Sequence, residues 1–207
     1  MYNQKSTMTV RYEINPPKVS DDGQNSRNIL FERINMIGSV CNGIHLTDSV
    51  LGIPRVSPFE IAKKIRESNN DMKITCSLRV RDRNLNELKK IVRESIGIID
   101  GILVLMGDKS DKSSNKEELI PSQVVKALNE DGFGKKTELF LSIPSNPNFA
   151  KIQKKIDARP KGFFTQIVNS QAMVQRITDY LRPKGFRIIP CLLLPSEKNL
   201  KSAESCK

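Results

Sequence analysis

The chain has 207 residues, 38% of them hydrophobic, with a net charge of +11 and a pI near 9.6. That length suits one domain with a substantial core, and no run of about 18 apolar residues is present to span a membrane. The positive charge calls for an anionic partner. Basic and acidic residues are nevertheless interleaved, as in EIAKKIRESNNDMK and NLNELKKIVRESIG, and no RNP-like aromatic pattern occurs. A small polyanion therefore accounts for the excess as well as nucleic acid does.

The first strand is expected over Met8–Ile14, where Val10, Tyr12 and Ile14 alternate with Thr9, Arg11 and Glu13. Pro16 and Pro17 stop it at once, because proline cannot donate to a sheet ladder. Glu13 thus lies at the carboxyl end of the opening strand. Helix-period segments and apolar, β-branched runs then alternate. The expected order is helix Arg27–Gly38, strand Gly43–Thr47, helix Pro58–Ser68, strand Lys73–Val80, helix Leu85–Ser95 and strand Gly101–Met106. It continues with helix Pro121–Asn129, strand Glu138–Ile143, helix Phe149–Ala158, strand Phe163–Val168, helix Gln171–Leu181 and strand Phe186–Leu194. Ser57, Asn84, Ser122 and Ser170 are expected as amino-terminal caps or first-turn residues.

Strands alternating with helices in units of about 30 residues imply a parallel sheet with right-handed crossovers. Neither GxGxxG nor GxxxxGK[ST] occurs, which weakens an open nucleotide-binding sheet. Polar residues recur at the carboxyl ends of the strands: Glu13, Thr47 with Asp48, Arg79, Asp108, Ser145 and Gln166. Those ends form the active face of a (βα)8 barrel. The expected fold is therefore α/β, a TIM-barrel type that is incomplete, with about seven parallel strands and six to seven helices where a full barrel has eight units. Residues 1–195 are expected to form one domain, followed by a polar tail at 196–207. Cys41, Cys76, Cys191 and Cys206 form no CxxC pair, and the amino terminus lacks the apolar core of a signal peptide. Reduced thiols in a cytoplasm are the expectation, with no metal site.

The strand ends also resemble those of a known family. YEINPPK, HLTDSVLGIPRVSP, LRVRDRNLNELKKIV, IIDGILVLMGD, KKIDARPKGFFTQIVNS and GFRIIPCLLLPSE follow one another in the order and spacing of methylenetetrahydrofolate reductase, from about Tyr12 to Leu194. The resemblance implies a flavin-dependent reduction of a tetrahydrofolate-type pterin from the methylene to the methyl form. It implies FAD or FMN as cofactor, NAD(P)H as a possible electron donor, and a homo-oligomer or partner subunit. By the same resemblance Glu13 is the general acid, Asp108 lies beside both flavin and pterin, and Gln166 hydrogen-bonds the folate. Thr47, Ser77, Gly107, Asp108 and Lys155 fall on flavin-side positions.

This sequence departs from the family at several places. Ser77 replaces a histidine, Met106 an arginine, Arg159 a glycine and Asn169 an aspartate, while residues 143–147 read Ile-Pro-Ser-Asn-Pro. Contacts to the distal half of FAD are changed more than the catalytic face. An altered cofactor grip, a different pterin, or a pterin-binding protein without a tightly held flavin all fit that pattern. His45, the one histidine, is expected as a core or rim residue.

Overall fold

The computed structural model of the chain describes residues 9–21, 23–68, 71–81, 83–108 and 119–194. Met8, Cys206 and the polar tail at 196–207 lie outside them. Seven strands form one parallel sheet in chain order: β1 (Arg11–Ile14), β2 (Gly43–Leu46), β3 (Lys73–Arg79), β4 (Gly101–Leu105), β5 (Glu138–Ile143), β6 (Gly162–Ile167) and β7 (Arg187–Cys191). The helices between them are α1 (Gln24–Gly38), α2 (Pro58–Glu67), α3 (Leu85–Ser95), α4 (Pro121–Glu130), α5 (Gln153–Asp157) and α6 (Gln171–Leu181). This is the expected incomplete βα barrel. Every neighbouring pair of strands is parallel, and no ladder among the described residues joins β7 back to β1.

Two apolar layers account for the fold. Ile14, Ile44, Leu46, Ile74, Cys76, Leu78, Ile102, Val104, Leu139, Leu141 and Phe163 leave one face of the sheet and pack under the helices. Each fully buried aliphatic side chain there stabilises the fold by about 1.5–3 kcal/mol. α3 shows how the helices meet this layer. Leu88 and Val92 are buried against the sheet, while Leu85 and Ile91 flank them. Asn84 accepts from the Glu87 N–H, and the Glu87 carboxylate takes the Asn84 N–H, which completes a capping box. Leu103, Phe140 and Phe164 form the second, smaller cluster on the opposite, concave face. The Phe164 ring lies 5.1 Å from the His45 ring, so β6 and β2 meet across the interior and the sheet is curled.

Three expectations change. α5 has five residues, not ten, because the Asn148 side chain accepts from the N–H groups of Ala150 and Lys151 and holds that segment in turns. Ser57 and Ser170 occupy cap positions without capping bonds, whereas Ser122 is a first-turn residue of α4 behind Pro121, as expected. β7 ends at Cys191, leaving Leu192 and Leu194 exposed. Pro190 fits this edge strand, where a missing N–H leaves no neighbour unpaired.

Arg159 adopts φ +53°, the left-handed region, at the turn into β6 where the similar family has glycine. Its carbonyl and that of Ala158 both accept from the Asn129 amide, at 3.0 and 2.9 Å, which fixes the turn. Replacing Arg159 by glycine relieves the Cβ clash at some cost in chain entropy and is expected to stabilise the fold by about 0.5–1 kcal/mol. Urea denaturation checks this, and a loss of stability would assign the arginine side chain a holding role of its own.

Candidate functional site

Strand register determines which residues share the concave face. Glu13 pairs with His45, His45 with Thr75, and Ser77 with Leu103. The interior near β1–β3 is consequently polar, whereas Leu103, Phe140 and Phe164 make it apolar near β4–β6. His45 is buried, with Nδ1 and Nε2 each 3.0 Å from the hydroxyls of Thr75 and Ser77. The Thr75 hydroxyl donates to the Ile44 carbonyl, so it accepts from His45. That assigns the proton to Nδ1 and leaves Nε2 to accept from Ser77.

Glu13 stands beside this neutral imidazole. Its side chain is reachable by solvent, yet the walls of the curled sheet desolvate the carboxyl and raise its pKa above the usual glutamate value. Cys191, on β7, is near enough to feel its charge. Burial and, secondarily, the charge of Glu13 push that thiol up to about 11. Asp108 is exposed beyond β4, and its Oδ2 accepts the Leu51 N–H at 2.7 Å. Gln166 lies in a β-bulge, where the β6–β7 register shifts between Phe164 and Ile167. Thr165 Oγ1 accepts the Cys191 N–H at 3.0 Å within that bulge, and Gln166 stays exposed at the rim. The three residues expected on the pterin side are therefore all open at the carboxyl end of the sheet.

The residues on flavin-side positions are placed differently. Thr47 is buried and donates to Asn15 Oδ1 at 2.6 Å, and Ser77 is engaged with His45. Gly107 has φ +83°, and the space a Cβ would take there is filled by the Arg79 side chain. Its carbonyl accepts from Arg81 Nε. Lys155 donates Nζ to the Ser142 carbonyl at 2.6 Å, and burial lowers its pKa. Of this set Asp108 alone is exposed.

The His45–Thr75–Ser77 network and the Asp48 anchor are not among the residues expected from sequence to work together. Asp48 is buried and accepts from the Arg79 N–H and from Arg83 at 3.0 Å, tying the β2–α2 loop to the end of β3. A signal for the first was present. Thr75, Ser77 and Arg79 alternate with Ile74, Cys76 and Leu78, which marks one face of β3 as a polar barrel lining.

His45 also sets a pH dependence. Burial, helped by the Arg11 charge, lowers its pKa from 6.5 to about 4. Since the folded state binds this proton more weakly than the unfolded chain, its contribution is complete above pH 6.5 and is lost as pH falls towards 4. Glu13 acts in the opposite sense, being protonated more readily when folded. The other groups facing His45 are Thr75, Ser77, Phe164 and Arg11. His45→Gln is expected to flatten the stability loss between pH 6.5 and 4.5, read by urea midpoints across that range. An unchanged slope would assign the loss to other groups.

A curled parallel βα sheet with an open polar carboxyl end defines an open member of the TIM-barrel-like architecture. No protein-family model matches the sequence, and no curated protein matches it. Among solved structures the chain is similar to an uncharacterised protein from Clostridium thermocellum that binds two copies of 5-methyl-5,6,7,8-tetrahydrofolic acid. The TM-score is 0.61 at 17% identity, covering 94% of this chain and 76% of that one. It is similar also to 2,3-dimethylmalate lyase of the PEP mutase/isocitrate lyase superfamily (TM-score 0.58, 10% identity, 95% and 72% covered). A GH10 endoxylanase from a sugarcane soil metagenome gives a TM-score of 0.54 at 15% identity, with 94% and 71% covered. These likenesses establish the fold. Among the described residues no helix is long and apolar enough to cross a membrane.

Proposed function

We propose that the carboxyl end of the half-barrel binds a folate-type tetrahydropterin and that Glu13 is the general acid for its reduction from the methylene to the methyl form. The observation that carries this is the placement of Glu13: a carboxyl with a raised pKa, open to a ligand, beside a neutral imidazole and an apolar interior. Opening the methylene bridge requires protonation of a ring nitrogen, and an acid works best when it keeps its proton near the working pH. Gln166 can donate and accept at once, which suits an amide-like pterin edge. Asp108 offers a carboxylate to the ring N–H groups. The binding of 5-methyltetrahydrofolate by the Clostridium protein supports the pterin part of this reading.

In the family that the sequence resembles, a bound flavin supplies the reducing electrons. Thr47 and Ser77 are engaged within the protein and Lys155 holds the Ser142 carbonyl, so these side chains do not cradle a tightly held resident flavin, and the reductase reading takes its hydride from an added, exchangeable reduced flavin. That observation favours a second reading, a pterin-binding protein without a tightly held flavin. Either reading leaves the β1 and β7 edges uncovered among the described residues, and a second copy or partner subunit there is part of the proposal, tested by the mass from light scattering.

Calorimetric titration of the purified chain with 5-methyltetrahydrofolate, followed by anaerobic assay with NAD(P)H and added FAD or FMN, tests the function. Binding with flavin-dependent turnover supports the reductase. Binding without turnover supports the second reading, and no binding overturns both.

A further inference from the structure

The β2–α2 loop holds two non-glycine residues in the left-handed region, Ser49 (φ 46°, ψ 50°) and Leu51 (φ 58°, ψ 27°), followed by Gly52 at φ 69°. A bulky residue with positive φ is a genuine outlier, because its Cβ crowds the following carbonyl. Such strain persists only where neighbours impose it. Here three neighbouring loops do so. Residues 54–56 pair with residues 17–19, through Val19 N–H to Pro54 O and Val56 N–H to Pro17 O, both 3.0 Å. Asp48 is tied to Arg83, and the Leu51 N–H is held by Asp108.

That explains how the conformation is held, but not why a leucine occupies it. Glycine would adopt the same backbone without the steric penalty. The leucine side chain gains nothing from the core either, since it is 76% exposed. An exposed apolar side chain is ordinary by itself, but one kept at a strained position and pinned through its own amide to Asp108 is placed for a contact outside the chain. We infer that Leu51 is a ligand-binding residue of the rim, supplying the apolar surface on which the ring system of the pterin rests while Asp108 takes its N–H groups. This rests on the proposed pterin site and adds to it a residue that no motif of the sequence singled out.

Two variants separate the side chain from the strain. Leu51→Ala removes the contact and keeps the left-handed penalty, whereas Leu51→Gly removes both. Calorimetric titration with 5-methyltetrahydrofolate is expected to show about tenfold weaker binding for each, the loss anticipated for an apolar side chain taken from a contact. The thermal midpoint is expected to rise for the glycine variant alone. Wild-type affinity in both variants overturns the assignment while leaving the pterin site standing. A change of association state without a change of affinity also overturns it, assigning Leu51 to a contact between copies. No binding by the wild-type chain removes the proposed function and this inference with it.

Discussion

Replacing Glu13 by glutamine is expected to lower reductase turnover by at least about 10²-fold, the loss typical of a missing general acid. Glutamine keeps the shape and can still hydrogen-bond, but it has no proton to release. Glu13 is solvent-reachable and forms no ion pair among the described residues, so stability should change by no more than about 0.5 kcal/mol. The pH profile provides a second reading of the same group. Activity that needs the protonated acid is lost as pH rises through the raised pKa of the folded carboxyl, and that basic limb should vanish in the variant. Turnover unchanged by the substitution would remove Glu13 from the chemistry. Pterin affinity would then have to be explained by Asp108, Gln166 and the rim alone.

The strand and helix pattern was legible because both periodicities are strong. Ile74, Cys76 and Leu78 repeat every second residue, and Leu88 and Val92 every fourth, so β3 and α3 could be read with little error. Seven strand patterns, and no eighth, could be counted along these 207 residues. What could not be read depends on register and backbone. The hydrogen bonds of His45 exist because β2 and β3 place it level with Thr75 and beside Ser77, a relation no single strand encodes. Gln166 was legible as a residue at the end of a strand, but the bulge that turns it to solvent arises from Thr165 taking the Cys191 N–H. α5 is shorter than its pattern because the apolar spacing of Phe149, Ile152 and Ile156 matches a helix, while Asn148 captures the N–H groups needed to start one. Leu51 left no trace, since left-handed backbone is normally signalled by glycine or asparagine.

These differences bear on function in one direction. Glu13, Asp108 and Gln166 are open at the carboxyl end, where they are available to a pterin, while Thr47, Ser77 and Lys155 of the flavin-side set are hydrogen-bonded within the protein. Ser77 is the clearest case. The similar family carries a histidine there, and in this chain the Ser77 hydroxyl instead meets an imidazole from the neighbouring strand, that of His45. The interior thus keeps a neutral imidazole beside Glu13, and a doubly donating ring at that point would draw the carboxyl towards its charged form.

The second large effect is expected at the opposite end of the sheet. Arg11, Lys73, Glu138 and Arg187 begin the concave face on β1, β3, β5 and β7, and the intervening strands place Gly43, Gly101 and Gly162 level with them. Arg187 pairs with Glu138 and lies 5.7 Å over the Phe140 ring, while burial lowers the Arg11 pKa against the raising effect of Glu138. Alternate strands thus supply the charged layer, as in closed barrels, and the glycines between them leave it room. A Cβ on Gly162 would fall on the Arg187 carbonyl oxygen, a backbone atom held in the β6–β7 ladder. Gly162→Ala is therefore expected to destabilise the chain by about 3 kcal/mol, the upper part of the usual range for overpacking. Gly43→Ala should follow, with its Cβ 2.5 Å from the Lys73 carbonyl oxygen. Gly101→Ala should cost least, because its nearest contact is the Phe140 ring at 2.7 Å and its nearest backbone oxygen is 3.0 Å away. Urea midpoints of the three variants give the order directly. Were Gly162→Ala as stable as the wild type, β7 could not be seated against β6 in this register.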